Sequence, residues 1–503
     1  MANPNSRREF LLAGSSTAVL GLVSCLAPAL VHSEVNRQNK KMDFEYVIRQ
    51  RLEDYVQNGI FPIIEAEAVS KHKSPAQMRP IAEQVKMIMG AYGIENLQIL
   101  QEAGSYPAVY GEVKSLNPLA PTILIQGHYD GQPSDASKWT KTKPHEPKII
   151  FENGERRIYG RGSSDDWGQI MTHIAVVDAY KKTNTSFPAN IKFLIEGGEE
   201  SGSNDMDKLI LKYKNLLACD TVMITDSSPG REGHPVITTT SRGIVSAYIT
   251  LQTGTGVTHS GDNLADNAVA LLASILTSMK DYATSKVLLP YFYDKVQEYT
   301  AEERKKLQQI PFDLDLFKKN YGLHRIVTEQ GYSAQETMWT RPSFEVHTLV
   351  GGEKSNSITT TAESYVTMRI VPNQNPEDIF SSFSTQFREH ARRLGLAPKS
   401  VQIRQEAGVR PFSTSTKHPF FHAAEKAMEK AFGASVDYMG NGGSEPIAIY
   451  HQQLLKVPII FNAYNSPKDN YHGNDESFSI EKGLVPGIKA NALFYENVGR
   501  MGR

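Results

Sequence analysis

The chain has very little cysteine. Of its 503 residues only Cys25 and Cys219 are cysteines. Cys25 falls in an N-terminal stretch that reads as an export signal, which leaves Cys219 alone in the mature chain and excludes an intrachain disulfide there. Cys219 sits in the apolar "LLACDTVMI" and reads as an inert core residue. An excess of one charge is also missing, since the formal net charge is -1. A nucleic-acid partner usually needs a basic patch, so the balance argues against one. There is no internal repeat and no low-complexity tract. The glycine-rich "GRGSSDDWG" is not followed by Lys-Ser or Lys-Thr, and its spacing fits neither nucleotide-binding fingerprint. What is present, 40% hydrophobic and 22% charged residues, is the composition of a soluble globular protein. The length favours two domains over one core.

Residues 1–33 are set aside from the fold. "NSRREFLLAGSSTAVLGLVSCLAPALVHS" opens on Arg7 and Arg8, followed by an apolar stretch from Phe10 and then small residues. This resembles a twin-arginine export signal, read by a receptor for proteins exported already folded, and implies a periplasmic location. The rival reading is a membrane anchor, but the apolar run is short and broken by Gly and Ser. "LVSC" ending at Cys25 also resembles a lipoprotein processing site, which would tether the protein by a lipid anchor. The "LAPAL" that follows is more apolar than such tethers usually are.

The fold expected is α/β. "DFEYVIRQRLEDYVQNGIFPII" and "SPAQMRPIAEQVKMIMGAYG" space their apolar residues as helices, the second with Ser74 as N-cap and Gly93 as stop. Strands then alternate with helices. "PTILIQG", "ANIKFLIEGG" and "DTVMITD" are nearly continuous apolar runs, as in a mainly parallel sheet covered by helices on both faces. Near Thr240 the pattern changes. "SRGIVSAYITLQTG" alternates in period two, and the elements that follow read β-α-β-β-α-β, a ferredoxin-like α+β unit. Residues 285–340, rich in Tyr and charge, have no clear place and are taken as an elaboration of this unit. After about 413 the chain returns to α/β character. The expected domains are thus 43–240 with 413–503, and an inserted 241–412.

Polar residues gather at the ends of the expected strands. "GHYDGQP" carries His128 and Asp130, "GRGSSDDWGQ" Asp165 and Asp166, "EGGEESGS" Glu199 and Glu200, "MITDSS" Asp226, and "DNYHGNDES" His472. In an open α/β sheet the carboxyl ends of strands border one crevice, so sites distant in sequence can converge. Imidazoles with carboxylates suit a borderline divalent metal such as zinc, manganese or cobalt. One carboxylate can bridge two ions about 3.5 Å apart. Each element alone has a plainer reading: the Glu-Glu pair as a solvated turn, a strand-end His as a hydrogen-bonded structural residue. Their recurrence at successive strand ends favours a site.

"GHYDGQP", "GRGSSDDWGQ", "EGGEESGS" and the later "TD" occur in the order seen in M20-family metallopeptidases. The resemblance is to the branch containing carnosinase and the cytosolic nonspecific dipeptidase, over essentially the whole mature chain. It implies two divalent ions, zinc first among the candidates. His128 and Asp226 would hold one, Glu200 and His472 the other, and Asp165 would bridge them. Asp130 would orient the His128 imidazole. Glu199 would be the general base acting on a hydroxide held between the ions. The inserted domain would act as lid and dimerisation unit of a homodimer. It would supply His259 of "VTHSGDN" to the oxyanion and Arg369 of "TMRIVPN" to the substrate's terminal carboxylate. Ser444 and the Gly442–Gly443 backbone would add contacts. As plainer readings, Arg369 could be a strand salt-bridge residue and His259 a loop cap.

The sequence departs from the family pattern in three places. The Lys of "DDKG" is Trp167, "GHYDVQP" carries Gly131, and "GGSIP" has become "GGSEP" at Glu445. None removes an expected ligand. The expected activity is hydrolysis of dipeptides or other short peptides. Two rivals stay open: deacylation of N-acyl amino acids on the same metals, and peptide capture without catalysis. An intact Glu199 argues against the last, because binding alone needs no base.

Overall fold

The computed structural model describes residues 44–501, except 103 and 311. The stretch read as an export signal, including Cys25, lies outside the described residues. Among the described residues no helix is long and apolar enough to cross a membrane.

The larger sheet has nine strands: β1 Glu95–Leu100, β2 Ala108–Val113, β3 Thr122–His128, β4 Asn190–Glu196, β5 Thr221–Thr225, β6 Val236–Ser241, β7 Phe412–Ser413, β8 Asp437–Asn441 and β9 Ile459–Ala463. Their order is β1-β2-β4-β3-β5-β9-β6-β7, with β8 beside β6. The central β4, β3, β5 and β9 run parallel. Antiparallel partners flank them at β2 and β6. The central strands are apolar on both faces because both faces are covered. Ile123 and Ile125 join one core while Leu124, between them, joins the opposite one. The helix Trp167–Lys182 is buried almost all round, which suits its place between the sheet and the helix Val485–Gly499.

The second sheet is antiparallel and built from Gly243–Gln252, Ser343–Val350, Thr361–Ile370 and Val401–Val409. Their order in space is Ser343–Val350, Thr361–Ile370, Gly243–Gln252, Val401–Val409. Helices Ala268–Thr277 and Pro376–Arg393 cover its apolar face and share a separate core with it. The first of these helices is shorter than the sequence pattern suggests. The chain leaves it after Thr277 to pair Lys280–Asp281 with Lys286–Val287. Residues 285–340 hold three short helices, Ala301–Gln309, Leu314–Asn320 and Ala334–Thr340. The last of them packs on β8 of the larger sheet. Trp339 there is 4% exposed, against Gly440, where a Cβ would lie 2.6 Å from its own Cβ. The elaboration therefore leans on the first sheet as well as the second.

A third sheet pairs Lys148–Glu152 with Glu155–Tyr159, and the latter with Ser477–Ser479. It fastens the C-terminal segment that carries His472 beside the loop that carries Asp165.

Candidate metal centre

The four parallel strands end on one edge of the sheet, and a candidate side chain follows each. His128 is the last residue of β3 and Asp226 follows β5 directly. Glu199 and Glu200 sit in a short 3-10 turn after β4, and His472 lies beyond β9. Asp165 and Asp166 precede the helix Trp167–Lys182, whose first turn abuts the end of β3. The approach is close: a side chain at Gly127 would overlap Ile170, and one at Gly197 would overlap the Tyr129 ring.

Asp165 links the group. Its Oδ1 lies 3.0 Å from His128 Nε2 and its Oδ2 lies 2.8 Å from His472 Nε2. His128 Nε2 is also 3.3 Å from Asp226 Oδ2, and His472 Nε2 is 3.3 Å from Glu200 Oε1. Two sets of donor atoms result, His128–Asp166–Asp226 and Asp165–Glu200–His472, each within 4.8 Å of one another. Asp166 was not among the expected ligands. Its Oδ2 accepts the His128 backbone N–H at 3.2 Å, so half of it is already engaged, while its Oδ1 has no partner. Asp165, with one oxygen toward each imidazole, is better placed to join the sets.

Asp130 acts differently from expectation. The His128 Nδ1–H is held by the Asp130 backbone carbonyl at 2.8 Å, and the Asp130 carboxylate stands 3.4 Å off. That carboxylate accepts the backbone N–H groups of Glu199 and Glu200, each at 3.2 Å. It thus fixes the turn that presents both glutamates. Glu200 Oε2 accepts from Gln132, a residue that nothing in its local sequence singles out.

The electrostatics reflect crowding of like charge. Burial, then Asp226, Glu445 and Glu200, push the Glu199 carboxyl well up, against the pull of His128. Burial and Asp165 likewise raise Glu200 and Asp226. Burial opposes ionisation of Asp165 too, but hydrogen bonds from His128 and His472 outweigh it and hold that carboxyl well below the usual range. Burial disfavours charge on His472, yet Asp165 and Glu200 push it up to about 10. The carboxylates demand positive charge, and imidazole protons are what the bare protein can offer. A divalent cation meets the same demand and displaces those protons. The donor set and its mix of imidazole and carboxylate fit such an ion.

Beside this cluster, Arg369 Nη1 donates to Ser444 Oγ at 2.9 Å. Among the described residues neither Arg369 nor nearby Arg242 forms an ion pair. Burial lowers both guanidinium values, that of Arg242 to about 10 with help from the charge of Arg369. Arg242 Nε donates to the Gly442 carbonyl at 3.0 Å, and the Gly443 N–H is taken by Asn441 Oδ1 at 2.8 Å. The Gly442–Gly443 backbone is therefore already engaged inside the protein. Asn441 Nδ2 also donates to Glu445 Oε1 at 2.6 Å. His259 lies apart. It is exposed, and its Nδ1 accepts the Gly261 N–H at 3.1 Å, which is the loop-cap arrangement. Among the described residues no hydrogen bond or ion pair joins it to the cluster.

A family model described as peptidase family M20/M25/M40 matches residues 124–497. The chain belongs to that family. The human Beta-Ala-His dipeptidase is 24% identical over 403 residues, covering 78% of this chain and 78% of its own length. The Cys-Gly metallodipeptidase of Saccharomyces cerevisiae is 26% identical over 391 residues, 76% of this chain and 80% of its own. The crystal structure of human carnosine dipeptidase 1 aligns with a TM-score of 0.73 at 22% identity, over 92% of this chain and 99% of that one. A dipeptidase from Saccharomyces cerevisiae aligns at 0.74 and 23% identity, over 91% and 98%. At these identities the two structures speak for the fold.

As an M20 chain, the protein is a hydrolase. One departure from the family pattern has a local account. Trp167 is 1% exposed and donates its indole N–H to the Gly59 carbonyl at 2.9 Å, so it serves the core. Cys219, read as inert, has its thiol pushed up to about 12 by burial.

Proposed function

We propose that this M20 enzyme is a dipeptidase that uses two divalent ions, zinc by preference. The single observation that carries the reading is Asp165, whose two oxygens face different imidazoles, 3.0 Å and 2.8 Å away. His128 and Asp226 would hold one ion, Glu200 and His472 the other, with Asp165 between. When bound, such ions supply Lewis acidity and lower the pKa of water. The chain's own groups do the rest. Glu199, kept from ionising easily by burial and by its acidic neighbours, takes a proton from water and returns it to the leaving amine nitrogen. Arg369 and Ser444, already joined, receive the substrate's terminal carboxylate, and the unpaired charge of Arg242 adds to the field there. Glu445, one residue from Ser444, favours a substrate with a free amino group.

Residues 241–412 would form the lid and dimerisation domain of a homodimer, with 43–240 and 413–503 as the catalytic domain. His259, exposed and with no bond to the cluster of its own chain among the described residues, would reach the oxyanion of the neighbouring subunit. Arg7 and Arg8 before an apolar stretch support export to the periplasm, and "LVSC" supports a lipid anchor at Cys25. The decisive experiment assays purified protein on a panel of dipeptides and N-acyl amino acids, before and after chelation, with zinc, manganese and cobalt restored separately. Hydrolysis of acylated amino acids with dipeptides untouched would overturn the dipeptidase reading. Activity that survives chelation would overturn the metal.

A further inference from the structure

One carboxylate outside the ligand set is more heavily engaged than any ligand. Glu476 is fully buried. Its Oε1 accepts the backbone N–H groups of Gly162, Ser164 and Asp165 at 3.1, 2.9 and 3.1 Å. Its Oε2 accepts from Arg161 Nη1 at 2.6 Å. Three of these donors belong to the loop that delivers Asp165. A carboxylate that accepts several backbone N–H groups fixes their directions, because each bond weakens steeply off line.

Arg161 carries the connection onward. Its Nη2 donates to the carbonyls of Gly473, at 2.9 Å, and His472, at 3.4 Å. Its Nε donates to Ser134 Oγ at 2.8 Å, and its guanidinium lies over the Trp139 ring. His472 needs holding, since its φ of +61° is a left-handed conformation that side chains disfavour. The planar fork of Arg161 suits this, with separate nitrogens for separate acceptors. The pair thus clips together two loops more than 300 residues apart in sequence and within hydrogen-bonding reach in space. One loop carries Asp165 and the other His472, two members of one donor set. His128 and Asp226 receive nothing from either residue. They are held by the Asp130 carbonyl and by the ends of β3 and β5.

We propose that Glu476 and Arg161 are positioning residues that set the distance between Asp165 and His472, so that the cation held with Glu200 depends on the clip and the cation held by His128 and Asp226 depends on it far less. The proposal rests on the two-ion reading of the site. It predicts a protein that loses one ion and keeps the other.

The test compares full-length wild type, E476Q and R161K, with E329Q as a control that breaks a buried pair with Arg341 elsewhere. Bound zinc per chain is measured by atomic emission after dialysis against buffered free zinc, and folding is checked by circular dichroism. Wild type and E329Q should hold two ions. E476Q and R161K should hold one where wild type holds two, with one of the two affinities down about 10- to 100-fold and the other changed far less. At saturating zinc, kcat should return toward wild type with KM for the dipeptide unmoved. Equal weakening of both ions, unchanged affinity of both, or the same loss in E329Q would overturn the clip. If E476Q does not fold, R161K decides, since it keeps the charge and loses the fork. Wild type that binds two ions but cleaves no dipeptide would refute the proposed activity and leave the clip standing. Wild type that binds only one ion would refute the clip as well.

Discussion

Glu199 and Glu200 are neighbours in sequence with different surroundings. Glu200 faces His472 and accepts from Gln132, while Glu199 is raised by burial and by acidic neighbours without entering either donor set. Glu199→Gln should therefore keep its metal, measured by dialysis and emission, and lose about 10²- to 10⁴-fold in kcat on a dipeptide. Retention of most activity would remove Glu199 as the base. Glu445 makes a separate prediction. Burial and the neighbouring Asp226 and Asp165 push its carboxyl well up, so a cationic group brought by a substrate is what would favour its charged form. Glu445→Gln should raise KM about tenfold for dipeptides with a free amino group and leave N-acetylated analogues unaffected. Equal change for both would dissociate Glu445 from amine recognition. Glu199 and Glu200 were legible in sequence because they stand where an apolar strand stops and polar residues begin, and Glu445 because it departs from the family's "GGSIP" pattern. Gln132, Arg242 and Glu476 were not. A lone Glu in "NDES" or an Arg in "TSRG" looks like any turn residue, and its weight comes from partners hundreds of positions away.

At the scale of elements, long apolar runs reported themselves. β3, β4, β5 and β9 are buried on both faces, so nothing competes with the signal, and the helix Pro75–Ala91 starts at the expected N-cap Ser74, which forms a capping box with Gln77. The region 285–340 stayed unread for a physical reason: its helices are short and held by charged pairs rather than by an apolar stripe. Glu336 shows this. It is 1% exposed and accepts from Arg304, from Gln308 at 3.0 Å and from the Ser333 backbone N–H at 2.8 Å. Burial alone would raise its carboxyl, yet these bonds win and hold it at about 2, below the ordinary 4.5. A depressed carboxyl contributes stability that is fully present above its ordinary value and disappears as pH falls through the folded-state value. Glu336→Gln should therefore cost about 2 kcal/mol at pH 7, and the gap to wild type should close as pH falls toward 2. Denaturant unfolding across that range checks it, and a gap that does not narrow with acid would show that the charge of Glu336 is not what stabilises these helices.

For the whole molecule, the question is whether one chain contains a complete site. The larger sheet gathers His128, Asp165, Glu200, Asp226 and His472 by itself, whereas His259 sits exposed on the second unit with its side chain capping its own turn. If His259 serves a neighbouring subunit, the two defects Glu199→Gln and His259→Ala are complementary. Each homodimer should be inactive, because every site lacks either its base or its oxyanion partner. In a hybrid dimer the chain bearing His259→Ala retains Glu199 and receives His259 from the other chain, so one of its two sites is whole. Random re-association makes hybrids of about half the dimers, and a quarter of all sites should then be active. Mixing the two purified variants under conditions that exchange subunits, followed by a dipeptide assay, should recover activity near that fraction. No recovery, with exchange verified by differently tagged chains, would rule out service to the neighbouring subunit, and full activity of the His259→Ala homodimer would leave the cap on the Gly261 turn as its whole role.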